Sequence, residues 1–444
     1  MRIASCFLFL ALGSLSAWAD PPAAPDATSP PAAPVSLTLD QALRRAIEAN
    51  PVLAQARLEV AAQTQQKKAV LASILPHIGV SANGTRNTEE ITFGSNGDSR
   101  TILPRNDWAS RLTLTQPIYA GNRERKAYNQ AKIGILNAEQ TSLGTRDALM
   151  LNVIADYFSV LEGEELIEVE QKNLGLAEQR RKQAQDLYEA GEITKVEVLR
   201  AETDIKGSQR QLAAARQMRE AAVGRLRLDL AVEGPIAVSD PGSTFPDLPA
   251  RETLQAEAES SRPELVKAAN DVLIAQLEVG KQSGARLPVV SAEGGWLKQR
   301  STFPSDSYGY FKLNFSVPLF DAGEISAKVA AAKERLHQAE LKVQQVKQQV
   351  REEVHQAYSD LETARANLAL AQEQLAAAEA EYAQASELKR AEEITALESE
   401  AAEASLADAR RAVASSRLDA RLAELRVWST AGRLQQAVLP EEVR

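Results

Sequence analysis

Two hydrophobic periods alternate along this chain, and each predicts a different kind of element. From Val350 to Ala385, apolar side chains recur at steps of four and three residues, the repeat of a coiled-coil helix. The series is Val350, Val354, Ala357, Leu361, Ala364, Leu368, Ala371, Leu375, Ala378, Tyr382 and Ala385. The stretch from Gly323 to about Ala391 has almost no other Gly or Pro. It predicts one helix of about 70 residues, roughly 100 Å long.

A second long helix is predicted earlier, from Gly121 to about Ala190. Its core positions are less regular, which predicts the same role with poorer packing. They are Leu143, Met150, Ile154, Tyr157 and Leu161. A shorter return helix is expected after each long helix, from Thr194 to about Leu230 and from Thr395 to about Thr430.

Strict alternation of apolar and polar residues predicts four β-strands. Ile78 and Val80 alternate with small or polar residues, as do Phe311, Leu313 and Phe315. We expect the strands at about 77–91, 107–117, 289–299 and 308–318. Each has about 10 residues, the length that crosses a bilayer as a tilted strand.

Aromatic residues concentrate around these strands. Of the 18 aromatic residues in 20–444, 10 lie in 77–119 and 289–320. Several, including Trp108 and Trp296, fall near strand ends, where a membrane protein carries its interfacial girdle. The alternative is a small soluble β-hairpin domain, which is disfavoured because four strands supply neither two sheets nor a core.

The chain is an internal duplication. Asn50-Pro51-Val52-Leu53 recurs 212 residues later as Arg262-Pro263-Glu264-Leu265, whereas Tyr157 recurs 201 residues later as Tyr358. The 11 missing residues fall in the loop between the strands of the second copy. Each copy predicts a helix, a strand, a loop, a strand, a very long helix and a return helix.

The flanking segments have their own character. Arg2, an apolar run to Leu15 and the small-x-small sequence Ala17-Trp18-Ala19 predict a cleaved signal peptide and hence export. Prolines, Ala and Ser after it predict a flexible tether. We therefore expect a signal peptide at 1–19, a Pro-rich tether at 20–36, the first repeat at 37–231, a linker with little regular structure at 232–249, the second repeat at 250–432 and a tail at 433–444.

Composition excludes several function classes. The 60 acidic residues outnumber the 51 Lys and Arg among 444 residues, which argues against nucleic acid as a partner. The one cysteine, Cys6, lies in the expected signal peptide, so no disulfide or thiolate metal site is expected afterwards. No stretch after the signal peptide approaches 18 apolar residues, so no membrane helix is expected there.

Catalytic chemistry is not apparent. His77, His337 and His355 are far apart and have no metal-ligand spacing. Paired acids such as Glu352-Glu353 are typical of solvated helix faces. We expect no enzyme activity, no metal site and no cofactor.

The ordered and duplicated motifs resemble the TolC-like outer-membrane efflux proteins, the outer-membrane factor family, from about Leu39 to Gly432. The resemblance rests on the Asn50-Pro51 and Arg262-Pro263 turns, on Leu75-Pro76 and Leu287-Pro288, on the corners Gln116–Gly121 and Val317–Gly323, and on the tip Leu187–Thr194 with the following Glu197-Val198-Leu199 and Ala201-Glu202. Each motif alone is weak, whereas their order and duplication are specific.

The resemblance implies a mostly α-helical homotrimer with a 12-stranded transmembrane barrel, four strands from each chain, continued by an α-helical tunnel through the periplasm. Physical reasoning agrees, because lipid does not tolerate open strand edges and single barrels begin at about eight strands. The implied function is a passive exit duct of a tripartite efflux or type I secretion system. A periplasmic adaptor and an inner-membrane pump would be its partners.

In that family, the helix-hairpin tips close the periplasmic end and meet the adaptor. The resemblance assigns adaptor contact to Gly191, Glu192, Ile193, Thr194, Glu392, Ile394 and Thr395. It assigns the aperture to Glu197, Glu393, Glu398 and Glu400. A ring of like charge in a narrow pore favours cations. The competing interpretation is an acidic, solvated helix start.

One departure affects these assignments. Gly191 suits a left-handed turn at the first tip, but Glu392 stands at the same place in the second copy. Two outcomes are open there, a different turn or a continued helix. Two other functions are also weighed, a periplasmic adaptor and a soluble coiled-coil scaffold. The adaptor predicts one hairpin instead of two, and the scaffold leaves the alternating strands without a purpose.

Overall fold

The computed structural model describes residues 35–94, 100–240, 246, 248–300, 305–391 and 393–439. The expected signal peptide, the tether up to residue 34 and Glu392 lie outside the described residues. In chain order the elements are β1 Val35–Leu37, α1 Leu39–Ala49, α2 Pro51–Ala72, β2 His77–Arg86, β3 Ile91–Phe93, β4 Arg100–Leu103, β5 Asn106–Ala120, α3 Arg123–Glu189, α4 Lys195–Leu230, β6 Ile236–Val238, α5 Arg251–Ser261, α6 Pro263–Gly284, β7 Val289–Gln299, β8 Ser307–Ser316, α7 Glu324–Arg390, α8 Ala396–Thr430 and α9 Leu434–Val438.

Element boundaries confirm the duplication. Helices α1 and α2 begin and end 212 residues before α5 and α6. The long helices α3 and α7 begin 201 residues apart, and both have 67 residues. The duplicated segment has therefore kept its helix lengths.

Local capping explains the break between α1 and α2. The Thr38 hydroxyl and the Gln41 side chain form a capping box that starts α1. Asn50 ends α1 and caps α2, since its side-chain oxygen accepts the Val52 N–H at 2.9 Å. Pro51 occupies the first position of α2, where a missing N–H costs nothing. The Asn50-Pro51 turn is thus the boundary between two helices.

Four antiparallel strands form the main sheet, in the order β2-β5-β7-β8. Within the first hairpin His77 pairs with Thr115, and within the second Val289 pairs with Ser316. Strands β5 and β7 join the two hairpins, with a bulge between Pro117 and Tyr119. Strands β2 and β8 are the edges of this sheet.

The helices form two long hairpins, which contact each other through α3 and α8. Helix α3 packs on α4, and α7 packs on α8; α3 also contacts α2, α6 and α8. The main core surrounds Tyr157, which is fully buried with Met150 and Ile154. The prediction of poorer packing for the first long helix is wrong at Met150, Ile154 and Tyr157, because this part of α3 contacts several elements, whereas the predicted core residue Leu143 is 38% exposed. All eleven coiled-coil positions predicted for α7 are buried or half-buried, as expected.

Short elements appear where loops were expected. The tether ends in β1, which pairs in parallel with β6 inside the expected linker. The Tyr157 hydroxyl donates to the carbonyl oxygens of Leu37 and Ser239 at 2.9 and 2.5 Å. This tyrosine therefore gives both segments a polar contact with α3. The expected tail contains α9.

The main strands also differ from their expected limits. Strand β2 stops at Arg86, after which Asn87 N–H donates to the Arg105 carbonyl and closes the ladder. The chain then turns into the small β3–β4 hairpin. Strand β5 reaches Ala120 because β7 continues to pair with it, whereas β8 stops at Ser316, where its neighbour β7 begins.

Candidate functional site

One face of the main sheet is apolar and uncovered. The pairing places Val80, Leu112 and Trp296 side by side on this face, followed by Gly309. Val80 and Phe311 are each 76% exposed. The face comprises Ile78, Val80, Leu112, Leu114, Trp296, Phe311, Leu313 and Phe315. A contiguous apolar surface of this kind marks a membrane or protein contact.

The opposite face is polar. Glu293 on β7 accepts a hydrogen bond from the Tyr310 hydroxyl at 2.8 Å and forms an ion pair with Lys312 at 3.1 Å. Tyr310 lies across Gly295, where a Cβ atom would come within 2.7 Å of the tyrosine ring. Arg111 shares this face and is exposed, and it forms no ion pair with the described residues. One face therefore suits lipid and the other suits water.

The corners that follow the two hairpins differ in their surroundings. At the end of β5, Tyr119 and Ala120 are paired with β7, and Ala120 is 7% exposed. After β8, the equivalent segment includes Leu319 and Phe320, which are 95% and 90% exposed. The second corner lacks the strand that covers the first.

The first hairpin tip is a Schellman turn. Helix α3 ends at Glu189, and Gly191 takes the left-handed conformation with a φ of 80°. The N–H of Glu192 donates to the Leu187 carbonyl at 2.9 Å, and that of Gly191 donates to the Tyr188 carbonyl at 3.0 Å. The left-handed role predicted for Gly191 is confirmed.

The second tip closes in the same way at its described residues. Helix α7 ends at Arg390, and the Glu393 N–H donates to the Leu388 carbonyl at 2.9 Å, the counterpart of the bond at Glu192. Of the two outcomes left open for the second tip, a continued helix is therefore excluded, because α7 ends at Arg390 and α8 begins at Ala396. Ile193 and Ile394 are half-buried at the two tips, while Glu192, Thr194 and Thr395 are exposed.

The four candidate aperture acids have different surroundings. Glu398 belongs to a capping box, in which the Thr395 N–H donates to its carboxylate at 2.9 Å. This bond holds the pKa of Glu398 below its usual value. Glu197 is exposed at the start of α4, where Thr194 makes no side-chain cap. Glu393 is exposed in the turn.

Glu400 lies in a polar cleft of about 390 Å³ between α3, α4 and α8. The charged residues that line this cleft are Arg180, Asp204, Glu400, Glu403, Asp408 and Arg411. Arg180 on α3 forms an ion pair with Glu403 on α8. The structure thus places Glu400 next to a network of acidic and basic side chains. Glu197 and Glu398 do not line this cleft.

Sequence reasoning missed the ion pairs that connect the two repeats. Arg411 on α8 binds the carboxylate of Glu170 on α3, which is 3% exposed. Arg417 binds Glu165 about one and a half turns further from the tip, at 3.2 Å. The sequence offered part of a signal, because Glu170 stands seven residues from both Gly163 and Ala177 on one helix face, but it does not show which helix supplies the partner. A charge at such a position requires a partner on the facing helix.

The described residues contain no group of three or more His, Cys, Asp or Glu side chains that could hold a metal ion. Among the described helices, none combines the length and apolar character needed to cross a membrane.

A sheet with one lipid-compatible face, joined to helix hairpins of about 100 Å, defines the class of outer-membrane channel subunits. The chain belongs to the outer membrane efflux protein family, whose sequence pattern matches residues 42–231 and 254–433. The match covers both repeats. The fold is TolC-like, as the sequence motifs predicted.

Known proteins support this assignment. The chain is 23% identical over 317 residues to the outer membrane efflux protein BepC of Brucella suis, which covers 70% of this chain and 67% of BepC. Its fold is similar to that of the CmeC outer membrane channel of Campylobacter jejuni, with a TM-score of 0.77, 19% identity and coverage of 89% and 85% of the two chains. The open-state MtrE channel of Neisseria gonorrhoeae gives a TM-score of 0.73, 19% identity and coverage of 89% and 88%.

Two conclusions follow from the family. The chain is an outer-membrane efflux protein and not an enzyme. The adaptor and scaffold alternatives lose their support, because the family pattern covers both copies of the duplicated unit.

Proposed function

We propose that three copies of this chain form the exit duct of a tripartite efflux or type I secretion system. The observation that carries the proposal is the main sheet, which has an exposed apolar face and two open edges, β2 and β8. Open edges are not tolerated in lipid. Three sheets joined edge to edge give a closed twelve-stranded barrel, with the apolar face outside and the Glu293–Lys312 face inside.

The long helices would continue the barrel into the periplasm. Each spans 67 residues, or about 100 Å at ~1.5 Å per residue. Export would depend on residues 1–19. No nucleotide-binding motif is present in the sequence, so a separate inner-membrane pump would supply the energy through a periplasmic adaptor.

The hairpin tips would form the periplasmic aperture and the adaptor contact. The adaptor would meet the residues around Gly191 and Thr395, with Ile193 and Ile394 as partly covered apolar contacts. Glu197, Glu393, Glu398 and Glu400 would ring the opening and favour cations. Glu398 would be the least adjustable of these acids, since its carboxylate is bonded to its own helix start.

The proposal is tested by extraction and by planar-bilayer recording. We expect the protein in the outer membrane, requiring detergent for extraction, as a trimer that conducts ions. Recovery as a soluble periplasmic monomer would contradict the proposal.

The aperture assignment has a separate test within the same recordings. Glu400→Gln is expected to reduce cation preference, whereas the matched control Glu379→Gln, at an exposed position of α7 about three turns before the end of the helix, is expected to leave it unchanged. Equal selectivity in both variants would reject the aperture role of Glu400 without affecting the channel itself.

A further inference from the structure

The internal duplication fixes how one subunit meets the next. We infer that β8 pairs with β2 of the partner subunit in the same register that β5 and β7 adopt within one chain. The inference rests on the proposed trimeric barrel and specifies its subunit interface residue by residue.

The first step is that both hairpins have the same internal register. The ten paired positions of β2 and β5 correspond to the ten of β7 and β8 when 212 is added on the first strand and 201 on the second. At one end Arg86 pairs with Asn106, and its counterpart Lys298 pairs with Ser307. The two hairpins are therefore equivalent units.

The second step transfers the pairing between hairpins. Within the chain, Thr113 on β5 pairs with Gly295 on β7. Adding 201 to the first number and subtracting 212 from the second converts this pair into Asn314 and Asn83 of the partner subunit. Before the bulge, every pair transferred in this way joins two residues of the same sheet face, because strand faces alternate with a period of two.

The exposed corner supports the same register. Tyr119 pairs with Val290, which converts into Phe320 and Ile78 of the partner subunit. Phe320 is 90% exposed in the single chain, although its counterpart Tyr119 is partly covered by β7. A large aromatic side chain left in the open is explained when β2 of the partner subunit extends beside it.

The helices below the sheet agree independently. Between α3 and α6, the Asn137 side chain donates to the Asp271 carboxylate at 2.7 Å. The counterparts are Gln338 on α7 and Glu59 of the partner subunit, the same amide–carboxylate pair with one more methylene on each side. Gln338 is exposed in the single chain. Helix α7 would thus lie on α2 of the partner subunit as α3 lies on α6.

Disulfide cross-linking tests the register. Cys6 is the one cysteine of the sequence and lies in the expected signal peptide, so introduced cysteines can be read without interference. Asn314→Cys with Asn83→Cys, both facing water inside the barrel, is the predicted pair. Directly opposed residues have Cα atoms about 4.5–5.5 Å apart, within the range of a disulfide. The control combines Asn314→Cys with Ser81→Cys, which the register places diagonally, at about 7–8 Å.

We expect oxidised outer membranes to yield covalent dimers and trimers from the predicted pair, with several-fold less product from the control. Gln338→Cys with Glu59→Cys should also cross-link when a short bifunctional thiol reagent spans the wider gap between the two helices, and provides a second measurement if the strand variants do not assemble. A trimer that cross-links best through the control pair would overturn the register while leaving the proposed channel intact. A monomer that neither conducts ions nor forms cross-links would instead overturn the proposed function, and the register with it.

Discussion

The same helix contact occurs in both repeats, but it is apolar in the first repeat and charged in the second. Where α1 meets α3, Ile47 packs against the main core and Met150 is fully buried. Where α5 meets α7, the equivalent residues are Glu259 and Arg351, joined by an ion pair of 2.6 Å. The backbone elements have equal lengths in both repeats, but their environments differ.

A neighbouring contact between the same helices shows the same difference between the repeats. Leu39 and Ile154 are buried in the first repeat, whereas their counterparts Arg251 and His355 lie 3.2 Å apart at an exposed site. The first contact lies under α4 and the β1–β6 strands, whereas the second remains open to solvent. After a duplication, burial and not ancestry decides the side-chain chemistry of a contact, because unpaired charges are excluded from a core.

The largest effect is expected where the two repeats meet. Arg411→Gln removes the main partner of buried Glu170 and should cost about 3–5 kcal/mol, since the carboxylate stays buried without compensation. Arg417→Gln, at the exposed pair with Glu165, should cost about 0–1 kcal/mol. Thermal unfolding of the detergent-purified protein measures both. Equal shifts would show that Glu170 is hydrated in the assembled protein.

The contrast between the repeats is tested directly by truncation. Met150→Ala should cost about 2–5 kcal/mol because it leaves a cavity in the main core. Arg351→Ala, its counterpart, should cost about 0–1 kcal/mol. The same unfolding measurement compares them. If Arg351→Ala were as damaging as Met150→Ala, the α5–α7 contact would be buried by another subunit.

The hairpin tips allow a smaller test of the same kind. Thr395→Ala removes a capping box and should cost about 1 kcal/mol, while Thr194→Ala removes no side-chain cap and should cost a few tenths at most. Protease nicking at the tips measures local opening. Equal nicking rates in both variants would argue against the capping box at Thr395.

The smallest effect depends on pH. Arg351 and Lys347 lower the pKa of Glu259 from 4.5 to about 2. A lowered carboxyl pKa stabilises the fold above the unfolded value, and this contribution is lost as the pH falls through the folded value. The unfolding temperature of wild type should therefore exceed that of Glu259→Gln by a constant amount above pH 4.5. A difference that persists unchanged down to pH 2 would contradict the ion pair.

Much of the fold follows from sequence periodicity. The heptad series from Val350 to Ala385 predicted α7, and the alternation around Val80 and Phe311 predicted the strands. Both signals depend only on residues a few positions apart within one element. The left-handed turn at Gly191 was predictable for the same reason. Strand ends were less accurate, since they depend on how far the adjacent strand continues.

Other features depended on residues far apart in the chain. The pairing of β1 with β6 joins residues 201 positions apart, beside the Tyr157 hydroxyl of α3. The bond between Glu170 and Arg411 joins residues 241 positions apart. Periodicity cannot show which helix faces which, so such contacts were not predictable from one sequence.

The sequence by itself determined the repeated order of the main elements, the lengths of the long helices and the two faces of each strand. These properties are set by side-chain periods and by local turn chemistry. Only the tertiary structure decided which copy of each contact is buried, since burial depends on the other elements packed around it. Met150 and Arg351 occupy the same place in the repeat, and their surroundings alone make one a core residue and the other a surface ion-pair partner.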